Sequence, residues 1–339
     1  MTSENAKLFF EKYLGEPSSD FMTLAQSGSA RVNFLAEAGT RKYIVTSNEN
    51  IPENESFLYY SEIFSELNLN TPSIFAVSDD RKMYIQEFLG EQTLSEIITK
   101  EGLSSRVIRL VKQTLEQLFQ LQVSTQGKID FSKTFEYENY DELPVIHDLY
   151  YFKNFVADVI ELEYRKSALL KEFKQIASLI ESLAPKGIMI RDFQARNMMV
   201  NEEDKVSFID YQSAMKGPLM YDVISFLFQA KADFPEDFKN NMLEYYIVQF
   251  ENEEIQNRLK ASVKPIQMMR FLQVLGAYGF RGLIQRKQHF IASLEKGIQN
   301  ITQFAASWEQ MNDYPELKKV IEQLNTEESK LKINTILNH

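Results

Sequence analysis

The sequence predicts an α+β chain, with a small antiparallel sheet and one packed helix in its first 88 residues and a larger, mainly helical part over 89–339. Three observations predict it. Short runs rich in β-branched and aromatic residues crowd the stretch before residue 88, separated by turns of hairpin length. From residue 93 onward, apolar side chains recur at three- and four-residue spacing. Two short segments, 187–200 and 206–212, interrupt that helical pattern and set Arg, Asp and Asn among apolar neighbours.

In order, residues 4–14 carry apolar side chains at helical spacing until Gly15 and Pro17 stop the helix. Strands are expected at 21–24, 31–35 and 41–46, joined by Gln26-Ser27-Gly28-Ser29-Ala30 and Glu37-Ala38-Gly39-Thr40, each short enough for a hairpin. A helix at 53–68 follows, with Phe57, Leu58, Ile63, Phe64 and Leu67 apolar, and then strands at 73–78 and 82–88. Thr93 and Ser104 read as N-caps of helices at 93–100 and 104–123. The second presents Val107, Val111, Leu115 and Leu118 on one face, as a core-facing helix should. Residues 124–143 read as a loop, Pro144 opens a helix to about 164, and another helix spans 166–183. Pro218 is expected in the first turn of a helix through Phe228. Residues 235–326 read as helical throughout, and 327–339 as a frayed end.

The chemistry concentrates in Arg191-Asp192-Phe193-Gln194-Ala195-Arg196-Asn197 and in Asp210, at the end of the apolar run Val206-Ser207-Phe208-Ile209. An Asp-to-Asn gap of five residues also suits ordinary turn caps, and that reading stays open at this point. The apolar surroundings favour chemistry, because carboxylates in such company are costly unless paired or metal-bound. Arg-Asp, an Asn five residues after the Asp, and a second Asp after a short strand is the order that phosphotransferases of the protein-kinase type use. There the first Asp accepts the proton of the attacking hydroxyl, while the Asn and second Asp hold Mg²⁺ against nucleotide phosphates. Asp192 is thus the candidate base, with Asn197 and Asp210 the candidate metal ligands.

These residues, with Ile209-Asp210-Tyr211-Gln212 and Lys216-Gly217-Pro218-Leu219-Met220-Tyr221-Asp222, resemble the aminoglycoside-phosphotransferase-like family. Within it the resemblance is greatest to the N-acetylmuramate/N-acetylglucosamine anomeric sugar kinases. It runs from about residue 20 to Tyr314-Pro315-Glu316-Leu317, nearly the whole chain. It implies a protein-kinase-like bilobal fold, with a nucleotide-binding lobe over 1–88 and a catalytic, acceptor-binding lobe over 89–339. It implies ATP and Mg²⁺ as cofactors and a small hydroxyl acceptor, an amino sugar phosphorylated at its anomeric oxygen. Kinases of other small alcohols or amines (choline, aminoglycosides) share the loop chemistry, and a nucleotide-binding pseudokinase is a further alternative.

The resemblance also assigns site residues. Ser27, Gly28 and Ser29 would form the phosphate loop, although a single Gly by itself favours a plain hairpin turn. Arg31 would clamp a phosphate, and Gln86-Glu87-Phe88 would form the hinge that pairs with adenine. Arg191, Arg196, Asp148, Tyr151, Gln212 and Arg270 are candidate contacts to acceptor or phosphate. Two departures stand out. Ile190 occupies a position where relatives usually carry a loop-supporting His, and the third strand has Thr46 where a phosphate-binding Lys would stand. Arg31 is the candidate replacement for that Lys. Glu55 and Glu62 are the candidate helix partners.

Composition narrows the rest. The chain of 339 residues has no Cys and only three His, which excludes disulfides, thiolate chemistry and Cys-ligated metals, and argues against His-based metal sites. A formal net charge of −11 disfavours nucleic acid and anionic membranes as partners. No stretch approaches eighteen uncharged apolar residues and the start lacks a signal pattern, so a cytoplasmic protein is expected.

Overall fold

The computed structural model describes residues 3–25 and 30–338. The chain begins with α1 (Ser3–Leu14), β1 (Asp20–Thr23), β2 (Val32–Ala38), β3 (Arg41–Ser47), α2 (Ile51–Glu66), β4 (Ile74–Val77) and β5 (Met83–Glu87). The five strands make one sheet in the order β1-β2-β3-β5-β4, every neighbouring pair antiparallel. Strand alternation sorts its two faces. Phe34, Ala36, Tyr43, Val45 and Ile85 are buried with Ala6 and Phe10 of α1. Residues on the alternate positions, Asn33, Leu35, Ile44 and Gln86, line a cavity instead.

Next come β6 (Gln92–Thr93), α3 (Leu94–Glu101) and α4 (Ser105–Ser124). Thr93 and Glu96 form a capping box at α3, and Ser104 accepts the Val107 amide at 3.2 Å, as their residue types predict. Then follow α5 (Glu142–Phe152), α6 (Lys166–Ser182), β7 (Lys186–Met189), β8 (Met198–Val200), β9 (Val206–Phe208) and β10 (Met215–Pro218). The chain ends with α7 (Met220–Leu227), α8 (Glu236–Ile247), α9 (Glu253–Tyr278), α10 (Gln288–Ser307), α11 (Pro315–Leu324) and α12 (Glu327–Asn338). An antiparallel-sheet N-terminal region with a mostly helical remainder is the protein-kinase-like fold.

Four local expectations are corrected. The helix from 144 begins at Glu142 on an Asp141 cap and gives way to a π-turn at Lys153–Ala157. The helical run from 235 is broken by a second π-turn at Gly279–Ile284 and a 3₁₀ turn at Glu309–Asp313. Pro218 lies in β10 rather than in a helix: a Cβ at Gly217 would sit 2.6 Å from Met189 Sδ, so this backbone lies flat on its neighbour. The end of the chain forms α12, with Ser329 buried and its Oγ donating to Gln323 O at 2.6 Å.

The chain divides into two compact units, Met1–Glu138 with Ile190–Met215, and Asn139–Met189 with Lys216–His339. The partition differs from a cut at residue 88, because α3, α4 and the Ile190–Met215 segment group with the sheet. In the first unit, α2 holds the segment after Asp210 by three hydroxyl bonds. Ser56 Oγ donates to Gln212 O at 2.7 Å, Tyr60 Oη to Ala214 O at 2.8 Å, and Ser61 Oγ meets Tyr211 Oη at 2.6 Å. In the second unit, Gly276 of α9 lets α5 approach closely, since a Cβ there would lie 2.7 Å from Phe152 N. The buried Glu172 of α6 accepts from the Glu316 and Leu317 amides at 2.9 and 2.7 Å, satisfying the start of α11.

Candidate active site

The site is built where β8 and β9 meet the turns around them. The Asp192 amide donates to Ile190 O at 2.9 Å, and the Asn197 amide to Gln194 O at 2.8 Å. This winds residues 190–197 into a tight loop, ending in a 3₁₀ turn that leads into β8. The Ile209 amide then donates to Asn197 O at 3.0 Å, which brings the end of β9 beside the loop. Arg191 and Asp210 both take left-handed backbone, φ 70° and 66°. Such conformations cost a non-glycine residue roughly 1 kcal/mol or more and persist where surrounding bonds enforce them. Ile190 is buried at the root of this loop, where it supplies packing rather than a hydrogen bond from its side chain.

Asn197 joins the two carboxylate residues. Its Nδ2 donates to Asp192 O at 2.9 Å and to Asp210 Oδ2 at 3.1 Å. With the nitrogen committed, Oδ1 is turned to the other side and has no hydrogen-bond partner among the described residues. The Asp192 carboxylate likewise makes no hydrogen bond among the described residues. The opposite oxygen of Asp210, Oδ1, accepts from Gln212 Nε2 at 3.1 Å and from Arg31 NH2. Burial pushes the Asp210 carboxyl up, but the Arg31 guanidinium, the Gln212 and Arg31 hydrogen bonds and the Arg196 charge outweigh it and hold it below the usual carboxylate range.

Arg31 reaches this point from the start of β2, and its NH1 also donates to Gln212 Oε1 at 3.1 Å. Its Nε lies 3.3 Å from Glu53 Oε1, and the other Glu53 oxygen accepts from Asn48 Nδ2 at 2.9 Å. Glu53 is therefore the helix partner of this cation. The expected candidate Glu55 instead pairs with Arg81, where both side chains are more than two-fifths exposed, and nothing in the structure brings Glu62 to the site. Helical spacing carries the missed signal: Glu53 precedes Phe57, Tyr60 and Phe64, which form the buried face of α2, whereas Glu55 does not share it.

A cavity of about 410 Å³ opens onto these groups, walled by Arg31, Arg196, Asn197 and Asp210 at one side and by Gln86 through Glu91 at another. Leu24, Leu35, Ile44, Phe57, Met199 and Ile209 supply its apolar surface. Above it, Gln86 Nε2 donates to Thr46 Oγ1 at 2.9 Å and Thr46 Oγ1 to Asn33 Oδ1 at 2.8 Å, so the strand position that lacks a lysine holds a neutral polar relay. Lys42 points elsewhere, with its Nζ 2.7 Å from Glu91. A larger groove of about 970 Å³ also borders residues 87–91, but neither Asn197 nor Asp210 lines it, and Asp192 is among the walls of neither cavity.

The donor set suits Mg²⁺. One carboxylate and one amide oxygen are hard ligands, and among the described residues no group of three or more His, Cys, Asp and Glu surrounds a single point. An ion held here would draw its remaining ligands from phosphate oxygens and water, as Mg²⁺ does in nucleotide sites.

The other anticipated residues fall out as follows. Ser27, Gly28 and Ser29 lie outside the described residues. Gln212 is buried and bonds both Asp210 and Arg31, so it positions the site from beneath. Arg196 lines the cavity, and Arg191 is not among its walls. Asp148, Tyr151 and Arg270 belong to the second unit. There Tyr140 Oη donates to the buried Asp148 at 2.9 Å, the Tyr140 and Tyr221 rings meet at 5.1 Å, and the buried Arg270 lies 5.7 Å from the Tyr221 ring. Tyr151 packs edge-on against Phe155 at 4.6 Å and near Phe280 at 5.7 Å, remaining partly exposed.

This fold and site define a phosphotransferase, and residues 22–262 match the phosphotransferase enzyme family, to which the chain belongs. Among individual relatives, the N-acetylmuramate/N-acetylglucosamine kinase of Pseudomonas aeruginosa is 24% identical over 236 residues. That match covers 68% of this chain and 66% of the relative, just under two-thirds of its length. Solved structures share the fold at lower identity. Choline kinase LicA from Streptococcus pneumoniae superposes with a TM-score of 0.60 at 12% identity, over 88% of this chain and 98% of its own. A thermostable aminoglycoside phosphotransferase APH(4)-Ia, in ternary complex with ADP and hygromycin B, gives 0.57 at 15% identity, over 89% and 99%. No helix among the described residues is long and apolar enough to cross a membrane.

Proposed function

We propose that the chain transfers the terminal phosphoryl group of ATP to a hydroxyl of a small acceptor, an amino sugar phosphorylated at its anomeric oxygen. The observation that carries this reading is the direct bonding of Asn197 to Asp210 and to the backbone of Asp192, beside a cavity that also contains Arg31 and Arg196. Asp192 would take the proton of the acceptor hydroxyl as the oxygen attacks the γ-phosphorus, and the ADP oxygen leaves with the bond's electrons. Asn197 Oδ1 and Asp210 would hold Mg²⁺, which when bound neutralises phosphate oxygens. Arg31 and Arg196 place guanidinium groups for the same charge. Backbone groups of residues 86–88 would pair with the adenine edge, while Leu35, Ile44 and Met199 cover its faces. In this reading, residues up to the 86–88 segment chiefly hold nucleotide and later ones supply catalysis and acceptor contacts. We place the reaction in the cytoplasm, where ATP is supplied.

The amino-sugar acceptor is supported by the Pseudomonas relative, and another small alcohol or amine by the choline-kinase and aminoglycoside-phosphotransferase neighbours. Incubation with Mg-ATP and a panel of N-acetylmuramate, N-acetylglucosamine, choline and several aminoglycosides, with products read by phosphorus NMR, separates them. An anomeric sugar phosphate supports the first reading and a phosphocholine or phosphorylated aminoglycoside the second. Nucleotide binding with no transfer to any of them points to a pseudokinase.

A further inference from the structure

Arg31 faces the cavity from the sheet, and its guanidinium is paired with protein groups. Its side chain is only 13% exposed and touches Asp210 Oδ1, Gln212 Oε1 and Glu53 Oε1 together. Asp210 is equally committed: Oδ1 takes Arg31 and Gln212, and Oδ2 takes Asn197. A divalent ion approaching Oδ1 must therefore compete with a guanidinium already there. Glu53 Oε1 lies 3.3 Å from Nε as an ion pair without a hydrogen bond, and its other oxygen takes Asn48, so this charge pairing can keep the side chain in the site while the NH1 and NH2 ends change partner.

From this geometry we infer that Arg31 is a stand-in cation for Asp210. It holds divalent metal off the carboxylate until a polyphosphate both delivers the ion and accepts the guanidinium. Metal and nucleotide then bind as one unit, and Glu53 is the positioning residue that makes the exchange a swing rather than a release. This rests on the phosphotransferase reading of the site. It predicts effects of opposite sign from one substitution, because an opposite charge beside a carboxylate changes its cation affinity by roughly ten- to thousandfold.

The test uses Mn²⁺ as probe. Its binding is measured by electron paramagnetic resonance and calorimetry, alone and with AMP-PNP, on wild type, Arg31→Met, Arg31→Gln and Glu53→Gln, each first checked for folding by thermal melt. Wild type should bind Mn²⁺ alone weakly and the Mn²⁺–AMP-PNP pair tightly. Arg31→Met should bind Mn²⁺ alone at least about tenfold tighter and the pair at least about tenfold weaker. Arg31→Gln, which keeps a donor without the charge, should move in the same directions and serves if the Met variant does not fold. Glu53→Gln should weaken the pair while leaving adenosine binding unchanged. Mn²⁺ binding alone that is unchanged or weaker in the folded Arg31 variants, with AMP-PNP still bound by wild type, overturns the stand-in role and spares the phosphotransferase reading. A wild type that takes up no AMP-PNP with Mn²⁺ overturns both.

Discussion

Asn197 and Asp210 are bonded directly, amide nitrogen to carboxylate at 3.1 Å, and that bond decides which end of the Asn197 side chain faces the site. The same nitrogen reaches Asp192 O at 2.9 Å, so a single side chain sets the spacing of Asp192, Asp210 and its own oxygen. Asn197→Ala removes the proposed metal ligand and two loop braces together. It should slow phosphoryl transfer at least a hundredfold, consistent with loss of a charge-stabilising group. Stability should fall by about 2–4 kcal/mol, the cost of two lost hydrogen bonds of which one acceptor is charged. Steady-state assay and denaturant melts check the two effects separately.

Asp192→Asn is the complementary case. The carboxylate makes no hydrogen bond among the described residues, while its backbone does the structural work through Ile190 O and Asn197. Melting temperature and AMP-PNP affinity should therefore stay near wild type. The turnover number should fall by roughly 10²–10⁴-fold, the usual contribution of a general base. A variant as fast as wild type would show that the proton goes elsewhere.

That Asp192, Asn197 and Asp210 belong to one cluster was legible in the sequence, because five-residue spacing and flanking apolar runs are local properties. Arg31 was legible only as a candidate, since its reach to Asp210 and to Glu53 of α2 joins residues far apart in the chain. Glu53 was missed in favour of Glu55 because one charged residue at the start of a helix looks like another until the buried face is traced through Phe57 and Tyr60. Pro218 misled because proline suits both a helix start and a short strand, and Met189 packing against Gly217 settles the matter non-locally. Gln212 looked like a ligand contact; burial and two partners show it as support.

The depressed Asp210 carboxyl makes a pH prediction. A carboxylate whose pKa lies lower in the folded chain than in the unfolded one adds stability above the unfolded pKa, and loses it as pH falls through the folded pKa. In Arg31→Met the largest opposing influence is gone, so the Asp210 carboxyl should rise from its depressed position and its contribution to stability at higher pH should shrink. Wild type and variant should melt closest together in acid, below both pKa values. The gap should widen between about pH 3 and pH 7, which spans the ordinary carboxylate range. Parallel melting curves across that range would mean Arg31 does not set the Asp210 charge.

Gly90 tests the cavity wall. It joins β5 to β6 with φ 132°, and a Cβ built there would lie 2.7 Å from Val200 O and 3.1 Å from Asn201 Cα. Both obstacles are backbone, so neither can swing aside. Gly90→Ala thus meets a conformational cost and a steric one, together about 1–3 kcal/mol by the scale of strained backbone sites. Gly127 gives the control: its φ is 71°, but an added Cβ would meet nothing within 4 Å. Gly127→Ala should cost about 1 kcal/mol, the backbone term alone, and leave nucleotide affinity intact. Gly90→Ala should lose more stability and also weaken AMP-PNP binding, because relief of the clash requires residues 88–91 to move and those residues wall the cavity. Equal melting losses for the two variants, with AMP-PNP binding retained in both, would show that the β5–β6 connection yields freely and does not shape the nucleotide pocket.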